Sequence, residues 1–66
     1  MQVFKFIFAN NAILNCTPLY GRDIDGTYTY EHDNGSLTYA MVKASSEDEA
    51  YRICKRIIAE FTGATI

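Results

Sequence analysis

The stretch Tyr28-Thr29-Tyr30-Glu31-His32-Asp33-Asn34-Gly35-Ser36-Leu37-Thr38-Tyr39-Ala40-Met41-Val42 decides how this chain folds. Two runs rich in Tyr and Thr, residues that suit a pleated, half-buried strand, flank the dipeptide Asn34-Gly35. Asn-Gly is the strongest short hairpin signal. Both residues accept the positive φ that a type I′ turn demands, and that turn's twist matches the flanking strands. A two-residue turn sets the register by counting outward. Asp33 falls opposite Ser36, His32 opposite Leu37, Glu31 opposite Thr38, Tyr30 opposite Tyr39, Thr29 opposite Ala40 and Tyr28 opposite Met41. Alternation then puts Tyr28, Tyr30, His32, Leu37, Tyr39 and Met41 on one face, and Thr27, Thr29, Glu31, Thr38, Ala40, Val42 and Ala44 on the other. A slip of one residue exchanges the faces, so the assignment rests on the turn.

Downstream of the hairpin, residues 47–62 read as a helix. Ala50, Ile53, Cys54, Ile57, Ile58 and Phe61 recur at the spacing of a single apolar stripe. Ser46-Glu47-Asp48-Glu49 is a capping box whose three acids meet the positive end of the helix dipole, and Gly63 stands where a left-handed C-terminal residue belongs. Upstream, residues 2–9 alternate as a strand, with Phe4, Phe6 and Phe8 on one face and Val3, Lys5 and Ile7 on the other. Asn10-Asn11 supplies a second tight turn into a shorter strand over 12–16. Residues 17–26, with Pro18, Gly21, Asp23, Asp25 and Gly26, have the composition of a loop. The expected fold is α+β: one domain spanning residues 1–66, an antiparallel sheet of three to four strands in the order β-β-β-β-α, and the C-terminal helix packed on one sheet face.

One helix covers one face of such a sheet, so the other must be polar or meet something else. Both hairpin faces compete for the helix. Ala40, Val42 and Ala44 allow a close helix approach, whereas Leu37, Tyr39 and Met41 offer a larger apolar core. The first arrangement is favoured because a tyrosine hydroxyl prefers a wet edge. It leaves Tyr28, Tyr30, Leu37, Tyr39 and Met41 as an exposed aromatic patch, the composition typical of a protein–protein contact.

At 66 residues the chain buries only about 60% of its unfolded surface, which makes it marginal by itself and gives self-association a physical motive. With 48% hydrophobic residues and a net charge of −2 it is not a disordered tail. Six basic residues against eight acidic ones argue against nucleic-acid binding, which is driven by Lys and Arg on phosphates. The apolar run 3–9 is far short of the ~20 residues that span a bilayer and carries no signal-peptide pattern, so a cytoplasmic location without membrane association is expected.

Chemistry-bearing clusters are sparse. Cys16 and Cys54, with the single His32, do not make the ligand spacing of a metal site. A Cys16–His32 dyad lacks an orienting third group. Asp23-Ile24-Asp25-Gly26 starts like a calcium loop without the later ligands and the glutamate at its twelfth position. No catalytic residue, metal or cofactor is assigned. The leading expectation is a non-enzymatic protein-binding module acting through its sheet face or edge and self-associating, such as an inhibitor or adaptor of the kind phage or mobile elements deploy against host defences. The alternative is a binder of nucleotides or other anionic metabolites, with sites between subunits built from Tyr20, Arg22, Asp23 and Asp25.

Overall fold

Asparagine and glycine at positive φ build both tight turns. Asn10 and Asn11 stand at φ 54° and 59°, and Asn34 and Gly35 at 52° and 77°. The computed structural model describes residues 1–63. Around these turns run β1 (Gln2–Ala9), β2 (Ala12–Leu19), β3 (Tyr28–Asp33) and β4 (Ser36–Ala44), followed by helix α1 (Glu47–Thr62). All three pairings are antiparallel and the sheet order is β2-β1-β4-β3, so each hairpin contributes one central and one edge strand. Helix α1 packs on one face of this sheet, mainly over β4 and then β1. This is the expected α+β architecture.

The register of the second hairpin departs from a simple outward count. Asp33–Ser36 and His32–Leu37 pair as counted, but a bulge follows. Glu31 pairs with Tyr39, Tyr30 with Ala40, Thr29 with Met41 and Tyr28 with Val42, leaving Thr38 as the extra residue. The Thr38 hydroxyl donates to the Glu31 carbonyl at 3.0 Å and so ties the bulge to the partner strand. An extra residue reverses the side-chain alternation beyond it. Leu37 therefore shares a face with Ala40, Val42 and Ala44, and all four are buried beneath the helix.

The core is the set of side chains between this face and α1. Phe4, Phe6 and Phe8 of β1 meet Ala50, Cys54 and Ile57 of the helix, and Phe6 is completely buried. The small side chains of Ala40, Ala44 and Ala50 leave room for the phenylalanines between the layers. Tyr51 meets Phe6 edge to face, with ring centroids 5.1 Å apart.

Helix α1 starts and stops where its sequence signals lie. Ser46 is extended and its hydroxyl accepts from the Glu49 N–H at 3.2 Å. The return arm of the capping box reaches one residue further than the standard pattern: the Glu49 carboxylate accepts from the Ser45 N–H at 2.7 Å and from its hydroxyl at 2.8 Å. Those two donors hold the Glu49 carboxyl below its ordinary range. Gly63, at φ 74°, closes the helix with its N–H on the Ala59 and Glu60 carbonyls.

Strand β2 runs on through Pro18 to Leu19, three residues past the expected end. Pro18 pairs with Phe4, and it is tolerated because β2 is an edge strand on which an absent N–H need leave no ladder bond unmade. A second bulge, between Ile7 and Phe8, leaves Leu14 as the extra residue and 69% exposed.

Candidate functional site

The face of the sheet away from α1 is built by alternation. β2 contributes Asn15 and Thr17, β1 contributes Lys5 and Ile7, β4 contributes Tyr39 and Met41, and β3 contributes Thr29 and Glu31. Ile7 faces Tyr39 across the central pair and Lys5 faces Met41. Ile7 is 38% exposed, and Tyr39, Met41 and Lys5 are half-buried. The Lys5 ammonium lies 5.1 Å from the Tyr39 ring centroid, a cation–π contact that orients the ring. The result is a short apolar strip, Ile7-Tyr39-Met41, with threonines, Lys5 and Glu31 around it.

Residues 20–27 connect the hairpins and fold against one end of this same face. Asp23 makes an ion pair of 2.8 Å with Lys43, and the Thr27 carbonyl accepts from the Lys43 N–H at 2.8 Å. Val3, beside Lys43, is thereby only 2% exposed although it points away from the helix. The Lys43 ammonium, helped by the Ile24 N–H at 2.8 Å, holds the Asp23 carboxyl below its ordinary range. An open cleft of about 480 Å³ lies between this loop and β1, lined by Val3, Gly21, Arg22, Asp23 and Lys43 among others. A second hollow of about 390 Å³ lies on the loop's other side, against Asp25, Ile24, Thr29 and Met41.

On the helix side, the edge strand β3 carries a row of rings. Tyr28 stacks beside Tyr30 at 6.4 Å, and Phe61 of α1 meets Tyr30 at 6.0 Å and His32 at 5.2 Å. Tyr30 remains 39% exposed.

The five residues expected to form one patch are thus divided. Leu37 is in the core at 3% exposure, Tyr28 and Tyr30 lie on the helix side at the β3 edge, and only Tyr39 and Met41 share the open face. The bulge at Thr38 is the physical reason, since it moves Tyr39 and Met41 to the face opposite Leu37. The open face gains Ile7 and Lys5, which the alternation of β1 places on the side opposite its phenylalanines. Of the four expected ligand residues, Arg22 and Asp23 line the larger cleft, Asp23 and Asp25 line the smaller one, and Tyr20 lines neither.

Comparison with protein-family models, with curated proteins and with solved structures finds no match to this chain.

The remaining reactive groups are dispersed. Cys16 and His32 sit on opposite edge strands, about 14 Å apart by strand spacing, so they do not form a dyad. Both cysteines are free thiols. Burial pushes the Cys54 thiol up to about 12, with Cys16 adding to the effect. Burial also raises Cys16, and the Glu47 carboxylate raises it further. Among the described residues no cluster of three or more His, Cys, Asp or Glu is placed to hold a metal ion, and no helix is long and apolar enough to cross a membrane.

Proposed function

We propose that this chain is a non-enzymatic protein-binding module that takes a partner protein on the open face of its sheet and associates with itself. The observation that carries this reading is the strip Ile7-Tyr39-Met41, which α1 does not cover and the 20–27 loop reaches only at one end. Protein interfaces concentrate Tyr and Met at their centre with polar and charged residues at the rim, and the surroundings of Tyr39 follow that pattern. The ring is already oriented by Lys5, so less side-chain freedom is lost on binding. A role as an inhibitor or adaptor, including that of a phage or mobile-element protein directed at a host defence complex, fits the size and mild acidity of the chain.

Affinity capture with the wild-type chain, with Ile7→Asp, with Tyr39→Ala and with Arg56→Ala on the solvent side of α1 tests the reading. A partner retained by the wild type and by Arg56→Ala, but lost with Ile7→Asp and Tyr39→Ala, is expected. Retention by the wild type and all three variants sinks it.

A second reading, an anionic-metabolite binder, is favoured by one observation: Arg22 and Lys43 line the same cleft. Lys43 is engaged by Asp23, which leaves Arg22 as the cation for an incoming phosphate or carboxylate. A thermal shift with nucleotides that Arg22→Ala abolishes would favour this reading, and the absence of any shift removes it.

A further inference from the structure

We infer that two copies of this chain join through the outer edges of β3, antiparallel about a two-fold axis at Tyr30, to make one continuous eight-stranded sheet. The inference rests on the reading of the chain as a self-associating module and specifies the surface and the register.

The two edges of the sheet are not equally protected. Natural sheets blunt an exposed edge with proline, lysine or a bulge, because a row of unpaired N–H and C=O groups templates another strand. β2 has Pro18 and the bulged Leu14. β3, Tyr28-Thr29-Tyr30-Glu31-His32-Asp33, has no proline, no lysine and no extra residue of its own. Among the described residues nothing pairs with its outer side. The Lys43 N–H donates to the Thr27 carbonyl, so by antiparallel alternation Thr29 and Glu31 also address β4, while the backbone groups of Tyr28 and Tyr30 point outward.

Charge selects the register and the occupant. With the axis at Tyr30, Glu31 faces Thr29 of the second copy, Asp33 faces Thr27, and His32 faces Tyr28. All of β3 is then paired and every carboxylate stands opposite a threonine. Moving the axis to Glu31 sets two carboxylates directly against each other, which is unfavourable, and moving it to Thr29 shortens the paired stretch. On the helix side Tyr30 meets its own copy, and the two rows of Tyr28, Tyr30, His32 and Phe61 merge across the axis, covering a ring that is 39% exposed in one chain. The helices do not collide. Each lies over β4 or further in, so three strand spacings of ~4.8 Å hold their axes at least about 14 Å apart, beyond the ~8–10 Å of direct helix contact.

The experiment is sedimentation of the full chain over a concentration series, joined to amide exchange by NMR. The expected mass is twice 7.5 kDa, with the Tyr28 and Tyr30 amides protected in the dimer. Thr29→Glu sets a carboxylate against Glu31 of the second copy twice over, and is expected to weaken association about two- to thirtyfold, while Thr29→Lys strengthens it by a similar factor. Thr29 is exposed, so both variants keep the monomer fold, which their NMR spectra verify. A chain monomeric at every concentration overturns the inference. So does a dimer whose Tyr28 and Tyr30 amides exchange freely or whose affinity ignores the charge at position 29. If Ile7→Asp dissociates that dimer instead, the open face is the self-contact, and the binding-module reading survives the loss of the edge pairing.

Discussion

Replacing Leu37 and Tyr39 separately by alanine tests the bulge on which the whole face assignment depends. In an unbulged hairpin these two side chains share a face and lose burial together. In the structure Leu37 is 3% exposed within the core, whereas Tyr39 lies half-buried on the open face beside Lys5. Leu37→Ala removes three buried carbons at about 0.8 kcal/mol each, or about 2.4 kcal/mol before any cavity term. Leu37 adjoins the hairpin turn, where the surroundings relax more readily than at the centre of the sheet, so a total near 3 kcal/mol is expected. Tyr39→Ala removes a cation–π contact and some strand preference, about 1 kcal/mol. Sixty-six residues sustain roughly 3–10 kcal/mol of total stability, so the first change consumes a large part of it and the second does not. With a urea slope of about 1 kcal/mol/M, the midpoint should fall by about 3 M for Leu37→Ala and about 1 M for Tyr39→Ala. Unfolding followed by circular dichroism at low protein concentration, where self-association contributes least, reads both. Equal midpoint shifts would falsify the bulged register.

Three further outcomes follow from the helix start, the loop and the thiols. Ser46→Ala leaves the Glu49 N–H without its acceptor and should cost about 1 kcal/mol, read as a lower urea midpoint at unchanged slope. Glu49 and Asp23 are both held below their ordinary values of 4.5 and 3.8, the first by the Ser45 donors and the second by Lys43. The unfolded chain therefore binds more protons in that range. The stabilisation is complete above the ordinary values and is lost as pH falls through the lowered ones, so the melting temperature should drop on acidification below about pH 4.5, and Glu49→Gln should flatten the fall. A melting temperature that rises on acidification refutes the assignment. Alkylation followed by mass spectrometry should modify half-buried Cys16 before Cys54, whose thiol is buried and pushed up to about 12, and the two should react alike in denaturant. Faster labelling of Cys54 in the folded chain would contradict the core placement.

The elements were legible because their signals are local. Asn34-Gly35 and Asn10-Asn11 need only their own φ values, and the stripe from Ala50 to Phe61 with Ser46 and Gly63 defines α1 without reference to the sheet. That the face carrying Ala40, Val42 and Ala44 meets the helix was legible from side-chain size. The bulge was not. It depends on the Thr38 hydroxyl reaching the Glu31 carbonyl and on Leu37 being drawn into a core shared with β1, both of which are tertiary facts. One unforeseen residue at Thr38 was enough to divide the expected tyrosine patch between two faces. The end of β2 was obscured by Pro18, which counts against a strand until the strand is known to be an edge. The Lys43–Asp23 pair, which pins the loop to the sheet, links residues that no local pattern relates.

The strand order β2-β1-β4-β3 has a kinetic consequence. Each hairpin closes over a two-residue turn, a short-range event, whereas the β1–β4 seam joins residues as distant as Gln2 and Ala44. The Asn11 side chain, accepting the Leu37 N–H at 2.9 Å, fastens the tips of the two hairpins to each other across that seam. Neither hairpin owns a complete apolar face, since Phe6 belongs to one, Val42 to the other, and α1 lies across both. Most of the pairing is thus within reach of fast local closure, yet none of it is secured until the halves dock beneath the helix. The barrier to folding is therefore expected at the docking of two preformed hairpins, with Ala40 of one against Phe6 of the other at the centre of the encounter.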